Sequence, residues 1–199
     1  MKKRSLIFSN STITFLAIFL VFSLLQNGVK GQANSQTEFA IWDSNGELVK
    51  PESYREWIYV GTPVTPNDMN NGKAPFPEFH NAYIDPVSFA AYKATGKFPD
   101  GTILVKELVS VGSKAAVSGV GYFQGDFIGL EATVKSADHH ADEPGEWAYY
   151  SFTTEAGQAL KKSSPKFETA SCNTCHQVSA ADDWVFTQYY PILRAAKAK

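Results

Sequence analysis

Near the end of a 199-residue chain stand Cys172, Asn173, Thr174, Cys175 and His176, a C-x-x-C-H run that constrains the fold more than any other feature. Two thiols three positions apart can each add to a vinyl group on one edge of a porphyrin, and the adjacent imidazole can then ligate iron beneath the ring. The run reads as an attachment site for covalently bound c-type haem, with Cys172 and Cys175 as the thioether donors and His176 as the axial iron ligand. A thioredoxin-like redox pair, half of a zinc site and a disulfide are the competing readings of a C-x-x-C. The chain has only these 2 cysteines. A zinc site would have to draw its other ligands from His80, His139, His140 or carboxylates scattered far upstream, and a redox pair belongs near the start of a βαβ unit. Neither context is present.

The N-terminus carries Lys2, Lys3 and Arg4, an apolar stretch from Ile13 to Leu25, and then small and polar residues through Gly31, Ala33 and Ser35. This pattern predicts a secretory signal peptide over residues 1–33, cut near 31–33. Its apolar core is shorter than the roughly 20 residues a spanning helix needs, and no second apolar run follows, so no membrane span is expected. Export to the periplasm fits the haem reading, because c-type haem is attached outside the bacterial cytoplasm. The remaining 34–199 segment, roughly 165 residues, is of ordinary single-domain size. The net charge of −2 becomes more negative once the basic leader is lost, which argues against a nucleic-acid partner.

Thr102–Val111, Tyr122–Lys135 and Trp147–Thr154 are rich in β-branched and aromatic residues and read as strands. Asp85–Thr95 reads as a helix, with Asp85 at the N-cap, Pro86 at its first position and Gly96 just past its end. Asp182–Lys197 begins with acids and ends with basic residues, as a helix would, with Pro191 breaking or kinking it. The expected class is α+β, a predominantly antiparallel sheet with flanking helices in a single domain. Asp138-His139-His140 looks metal-like by composition but reads as a solvated loop.

After loss of the leader the only methionine is Met69, in a polar turn, which makes a His/Met haem an unfavoured reading. A histidine such as His80, His139 or His140 is more often hydrogen-bonded or exposed than a second ligand. An open iron position follows, suited to small-molecule binding or catalysis rather than to simple electron transfer.

FPDGTILVKELVSVG (Phe98–Gly112), GYFQGDFIGLEATVK (Gly121–Lys135), the C-N-T-C-H run and DDWVFTQYYPILR (Asp182–Arg194) together resemble the cytochrome P-460 family, as does YREWIYVGTPVTPNDMN (Tyr54–Asn70) ahead of them. The segments occur in the family's order. The resemblance implies an exported mono-haem protein, mostly antiparallel β and usually homodimeric. It also implies oxidation of hydroxylamine to nitrous oxide or nitric oxide, with electrons leaving to an exported cytochrome acceptor. The related β-type cytochromes c-prime share the fold but bind nitric oxide and similar gases without turnover.

Carried over by the same resemblance, Lys106 matches the lysine that cross-links to a haem meso carbon and Glu131 matches the distal carboxylate that takes up protons. His80 matches a position near the cross-link, with Phe76 and Phe79 as pocket walls. Read without the resemblance, Lys106 is a strand lysine reaching solvent. It alternates with Leu104 and Leu108 on one face, where apolar neighbours favour the neutral, nucleophilic amine. Glu131 alone would be an ordinary member of a strand's polar face.

Overall fold

The computed structural model describes residues 38–154 and 159–198. The segment read as a signal peptide lies outside the described residues. A five-stranded antiparallel sheet organises the chain, in the order β2-β3-β4-β7-β8. Its strands are β2 (Ile58–Gly61), β3 (Phe79–Ile84), β4 (Ile103–Val111), β7 (Gln124–Lys135) and β8 (Trp147–Ser151). Two smaller pairs complete the β structure: β1 (Leu48–Val49) with β9 (Ser163–Ser164), and β5 (Ala115–Ala116) with β6 (Gly119–Val120) in the β4–β7 connection. Among the described residues the α-helices are α1 (Pro86–Thr95), α2 (Thr169–Ser179) and α3 (Pro191–Ala196).

Alternation along the strands divides the core into two layers, one on each side of the sheet. Ile103 and Val105 of β4, Leu130, Ala132 and Val134 of β7, and Ala148 and Tyr150 of β8 pack on one side with Phe152, Leu48 and Tyr54. Leu104, Ala82, Ile84, Trp147 and Tyr149 face the other side, where Tyr92, Phe98, Val185 and Leu193 cover them and Cys172 packs at the edge. Trp147, Tyr92 and Leu193 are completely buried there. Each large apolar side chain taken fully from water contributes about 1.5–3 kcal/mol, so this second layer is a strong reason for the helices to dock on this side.

The α1 boundaries follow from its caps. Asp85 accepts from the Ser88 N–H at 2.7 Å and from the Ile103 N–H at 3.2 Å, which joins the helix start to the start of β4. Gly96 ends the helix at φ 71°, where a side chain would be strained. The C-terminal region departs from the single helix expected over Asp182–Lys197. Asp182–Val185 is a tight turn, Thr187–Tyr189 a single 3₁₀ turn, and only Pro191–Ala196 is α-helical. Pro191 starts that helix rather than breaking it, since a proline at the first position lacks only an N–H that would be unpaired anyway. Asp182 uses its carboxylate on the Tyr92 hydroxyl, at 2.8 Å, and on Lys197, at 2.7 Å, instead of capping a helix.

The Asp138–His140 loop is solvated as expected at Asp138 and His139, but not at His140. His140 is 2 % exposed, with its Nε2 2.6 Å from the Tyr150 hydroxyl. His139 stacks on Trp42 at 3.7 Å between ring centroids. Trp42 lies nearly a hundred residues upstream, so no local signal marks this stacking. Among the described residues no group of three or more His, Cys, Asp or Glu side chains is arranged to hold a metal ion, and no helix is long and apolar enough to cross a membrane.

Behind the sheet, on the side away from α2, Glu107 is 6 % exposed and gathers the Tyr54 hydroxyl at 2.9 Å, the Asn81 amide at 3.2 Å and the Arg55 guanidinium. Burial pushes the Glu107 carboxyl up, but the hydrogen bonds from Arg55, Asn81 and Tyr54 outweigh it and hold the group below the ordinary carboxylate range. The folded chain therefore binds this proton more weakly than the unfolded chain does. The stabilisation is complete above the unfolded value of about 4.3 and is lost as the pH falls through the folded one. Glu107→Gln is expected to cost about 2–4 kcal/mol at neutral pH, because it leaves buried donors poorly matched. Urea midpoints measured from pH 7 to pH 3 should also fall less steeply in the variant than in the parent protein.

Candidate functional site

The C-x-x-C-H run lies within α2, which places Cys172 and Cys175 one turn apart, with Cys175 exposed and Cys172 half-buried. Asn173, 3 % exposed between them, donates its side-chain amide to the Trp147 carbonyl at 2.8 Å and fastens the helix to β8. At the N-terminal end of α2 the Thr169 hydroxyl donates to Glu143 at 2.7 Å, and Lys166 pairs with the same carboxylate. The helix is thus tied down at its start and at its middle.

His176 sits between the rings of Tyr149 and Phe186, at 4.4 and 4.5 Å between centroids. Its Nδ1 lies 2.7 Å from the Trp184 carbonyl oxygen. A carbonyl can only accept, so Nδ1 carries the proton and Nε2 is left with a free lone pair. Burial holds the imidazole below its ordinary value, with the Lys106 charge acting in the same direction, and the ring is neutral at physiological pH. A neutral imidazole with its far nitrogen oriented by a carbonyl is the form a metal ligand requires. The donor set therefore fits haem c: two free thiols one helical turn apart and an imidazole fixed in the ligating tautomer.

Facing this helix side of the sheet, Lys106 and Glu131 are directly opposite one another on β4 and β7. Lys106 Nζ is 2.7 Å from Glu131 Oε2, and both side chains remain a little under one third exposed. They share this face with Leu104, Leu108 and Tyr149, since residues two apart on a strand point the same way. Burial pushes the Cys172 thiol up, and the Glu131 charge adds to that while Lys106 opposes it. Burial likewise pushes the Tyr149 hydroxyl well up, with Cys172 next among the causes.

His80 is on the same face, paired across β3 and β4 with Leu108. Its Nε2 is 3.2 Å from Glu78 Oε1, a contact that holds the Glu78 carboxyl below the usual range. Phe76 is exposed, with its ring centroid 5.6 Å from Lys106 Nζ and 6.2 Å from the His80 ring. Phe79 does not join them. It alternates with His80 on a regular stretch of β3, so its buried side chain points to the opposite side of the sheet. Met69 is 72 % exposed at the end of its 3₁₀ turn.

Sequence reasoning missed three residues of this region. Tyr149 and Phe186, which bracket His176, look like ordinary core aromatics, and Trp184 contributes a backbone carbonyl that no side-chain pattern reports. For the cysteines, Cys172→Ala and Cys175→Ala are each expected to retain covalent haem through the remaining thiol, while the double variant loses it. Haem staining of the denatured proteins on a gel checks this.

A search of curated proteins finds none that matches this chain. The Cytochrome P460 family model matches residues 51–187, a span that begins ahead of β2, ends just past the turn carrying Trp184, and includes Lys106, Glu131 and the C-x-x-C-H helix. The chain belongs to the cytochrome P-460 family and is a haem c protein.

Proposed function

We propose that this protein is an exported enzyme that oxidises hydroxylamine to nitrous oxide, nitric oxide or both, and passes the electrons to an exported cytochrome. The observation that carries the reading is the Lys106–Glu131 pair, placed side by side on the sheet face that receives the C-x-x-C-H helix. Bound through Cys172 and Cys175 and ligated by His176, haem c supplies an iron that takes a small nitrogen ligand and accepts electrons from it.

The side chains supply the rest. Hydroxylamine gives up protons together with electrons, so a carboxylate within hydrogen-bond reach lowers the barrier. Glu131 is the base in this reading, and its partial exposure gives the proton a way out to water. As an ammonium, Lys106 occupies one Glu131 oxygen. Carried as a haem cross-link, as the family resemblance implies, it would be a neutral amine, which would leave both Glu131 oxygens to receive substrate protons and would fix the pocket relative to the ring. His80, held by Glu78, and Phe76 flank the lysine and restrict the space beside it. Periplasmic location and a homodimeric state belong to the same reading, the first resting on the leader pattern of residues 1–33 and the second on the family resemblance.

One alternative keeps the same residues. A lysine retained as an ammonium against Glu131 leaves a protein that binds nitric oxide or a similar gas without turnover, as in the β-type cytochromes c-prime. The absorption spectrum of the dithionite-reduced protein separates the two readings. A ferrous Soret band far to the red of ordinary c-type haem is expected for the cross-linked enzyme, and an ordinary five-coordinate spectrum supports the gas binder. Glu131→Gln is expected to bind hydroxylamine yet oxidise it about 10²-fold or more slowly, the range a positioned base supplies. Lys106→Leu is expected to keep its haem and lose hydroxylamine oxidation, and full turnover in that variant would remove the lysine from the mechanism.

A further inference from the structure

Trp184 breaks several local rules at once. Its φ is 59°, and that of Asp183 before it is 42°. The Val185 N–H closes on the Asp182 carbonyl at 2.8 Å, so these two residues fill the centre of a two-residue turn in which both positions are left-handed. Asn-Gly is the usual occupant of such a turn, and a tryptophan there is a conformational outlier. Its indole Nε1 is also buried with no hydrogen-bond partner among the described residues.

The turn is held from outside. Asp183 Oδ2 receives Lys135 Nζ, from the end of β7, at 2.7 Å, and Asp183 Oδ1 receives Trp147 Nε1, from the start of β8, at 3.3 Å. Gly145 lies against the Trp184 ring so closely that a β-carbon there would run into the indole. The product of this arrangement is one carbonyl, that of Trp184, aimed at His176 Nδ1 from 2.7 Å, with the Tyr149 hydroxyl beside it at 3.5 Å. The hydrogen bonds of Asp183 go to Lys135 and Trp147, not to His176. A local conformation this unfavourable persists only where its surroundings over-determine it, and such outliers cluster where a group must be aimed.

We propose that Asp183 is a positioning residue for the axial histidine: anchored to Lys135 and Trp147, it holds the left-handed turn that presents the Trp184 carbonyl to the His176 N–H. The proposal rests on the reading of His176 as iron ligand. A strong acceptor on Nδ1 gives the imidazole partial imidazolate character, strengthens its bond to iron and favours the ferric state. Asp183 acts on the iron only through backbone conformation. Residues that tolerate a positive φ should therefore substitute for it better than residues that do not.

The test is resonance Raman spectroscopy of the ferrous iron–histidine stretch together with reduction potentials, on the intact haem-loaded protein and its variants. Asp183→Ala is expected to lower the stretching frequency and raise the potential. Asp183→Asn keeps a side chain suited to the left-handed region and should restore the frequency toward that of the parent. Lys135→Met removes the other half of the ion pair from a strand end and should shift both readouts in the direction of Asp183→Ala, which keeps the proposal testable if the alanine variant folds poorly. A parent-like stretch in Asp183→Ala and Lys135→Met overturns the proposal, as does an Asp183→Asn frequency as low as that of alanine. Absence of any iron–histidine band from the unsubstituted ferrous protein overturns the five-coordinate haem ligated by His176, and this proposal with it.

Discussion

The register of β4 against β7 is the constraint on which the site depends. These two strands form the centre of the sheet, and their pairing sets Lys106 opposite Glu131 and Glu107 opposite Leu130. A slip of one residue would turn every β4 side chain to the other face. It would carry Lys106 into the apolar layer of Ile103 and Val105 and bring Glu107 out toward the helix side. Both cores resist that slip, because Val105 and Leu104 are each buried in their own layer and neither layer admits a charge without a partner. The ion pair on one face is therefore a consequence of apolar packing on both.

The two charged groups of adjacent residues in β4 also behave differently for a physical reason. Glu107 is buried and saturated by Tyr54, Arg55 and Asn81, so its contribution is structural. Lys106 and Glu131 are partly open to water, and an isolated pair of that kind is worth no more than about 1 kcal/mol. Stability alone gives little reason to place a lysine and a glutamate on the face that also receives the cysteine helix. Under the proposed function their value lies in what they can do to a group held by that helix.

The sequence carried the parts of this arrangement that have local chemistry. The C-x-x-C-H run, the Asp85–Pro86–Gly96 helix limits and the long apolar strands were legible because each is a pattern of neighbouring residues. The strand Phe79–Ile84 was not, since His80 and Asn81 interrupt its apolar alternation and their partners, Glu78, Glu107 and Gln124, are supplied largely by tertiary contacts. The same cause hid the orientation of Phe79, which depends on a strand the residue pattern does not announce. His140 was misread because Trp42 and Tyr150 bury it from distant parts of the chain. The helix expected at Asp182 failed because both of its leading acids are engaged by side chains from other elements, Tyr92 and Lys197 for one, Lys135 and Trp147 for the other.

That last failure explains how the two sides of the site are built. In the proposed function the working groups on the sheet are side chains, Lys106 and Glu131, and a strand suffices to present them because its geometry is regular. Beside His176 the group that matters is a backbone carbonyl, and a regular helix through Trp184 would have committed that carbonyl to its own N–H ladder. Aiming it at His176 requires the chain to leave helical geometry at that residue, and the left-handed pair Asp183–Trp184 is how it does so. Strain at such a pair costs on the order of 1–3 kcal/mol per residue. The Lys135–Asp183 ion pair, each side chain no more than one quarter exposed, and the Trp147 indole offset it. Lys135 ends the strand that carries Glu131, and Trp147 begins the strand to which Asn173 fastens α2. The sheet that orients the Lys106–Glu131 pair thus also holds the turn that orients His176.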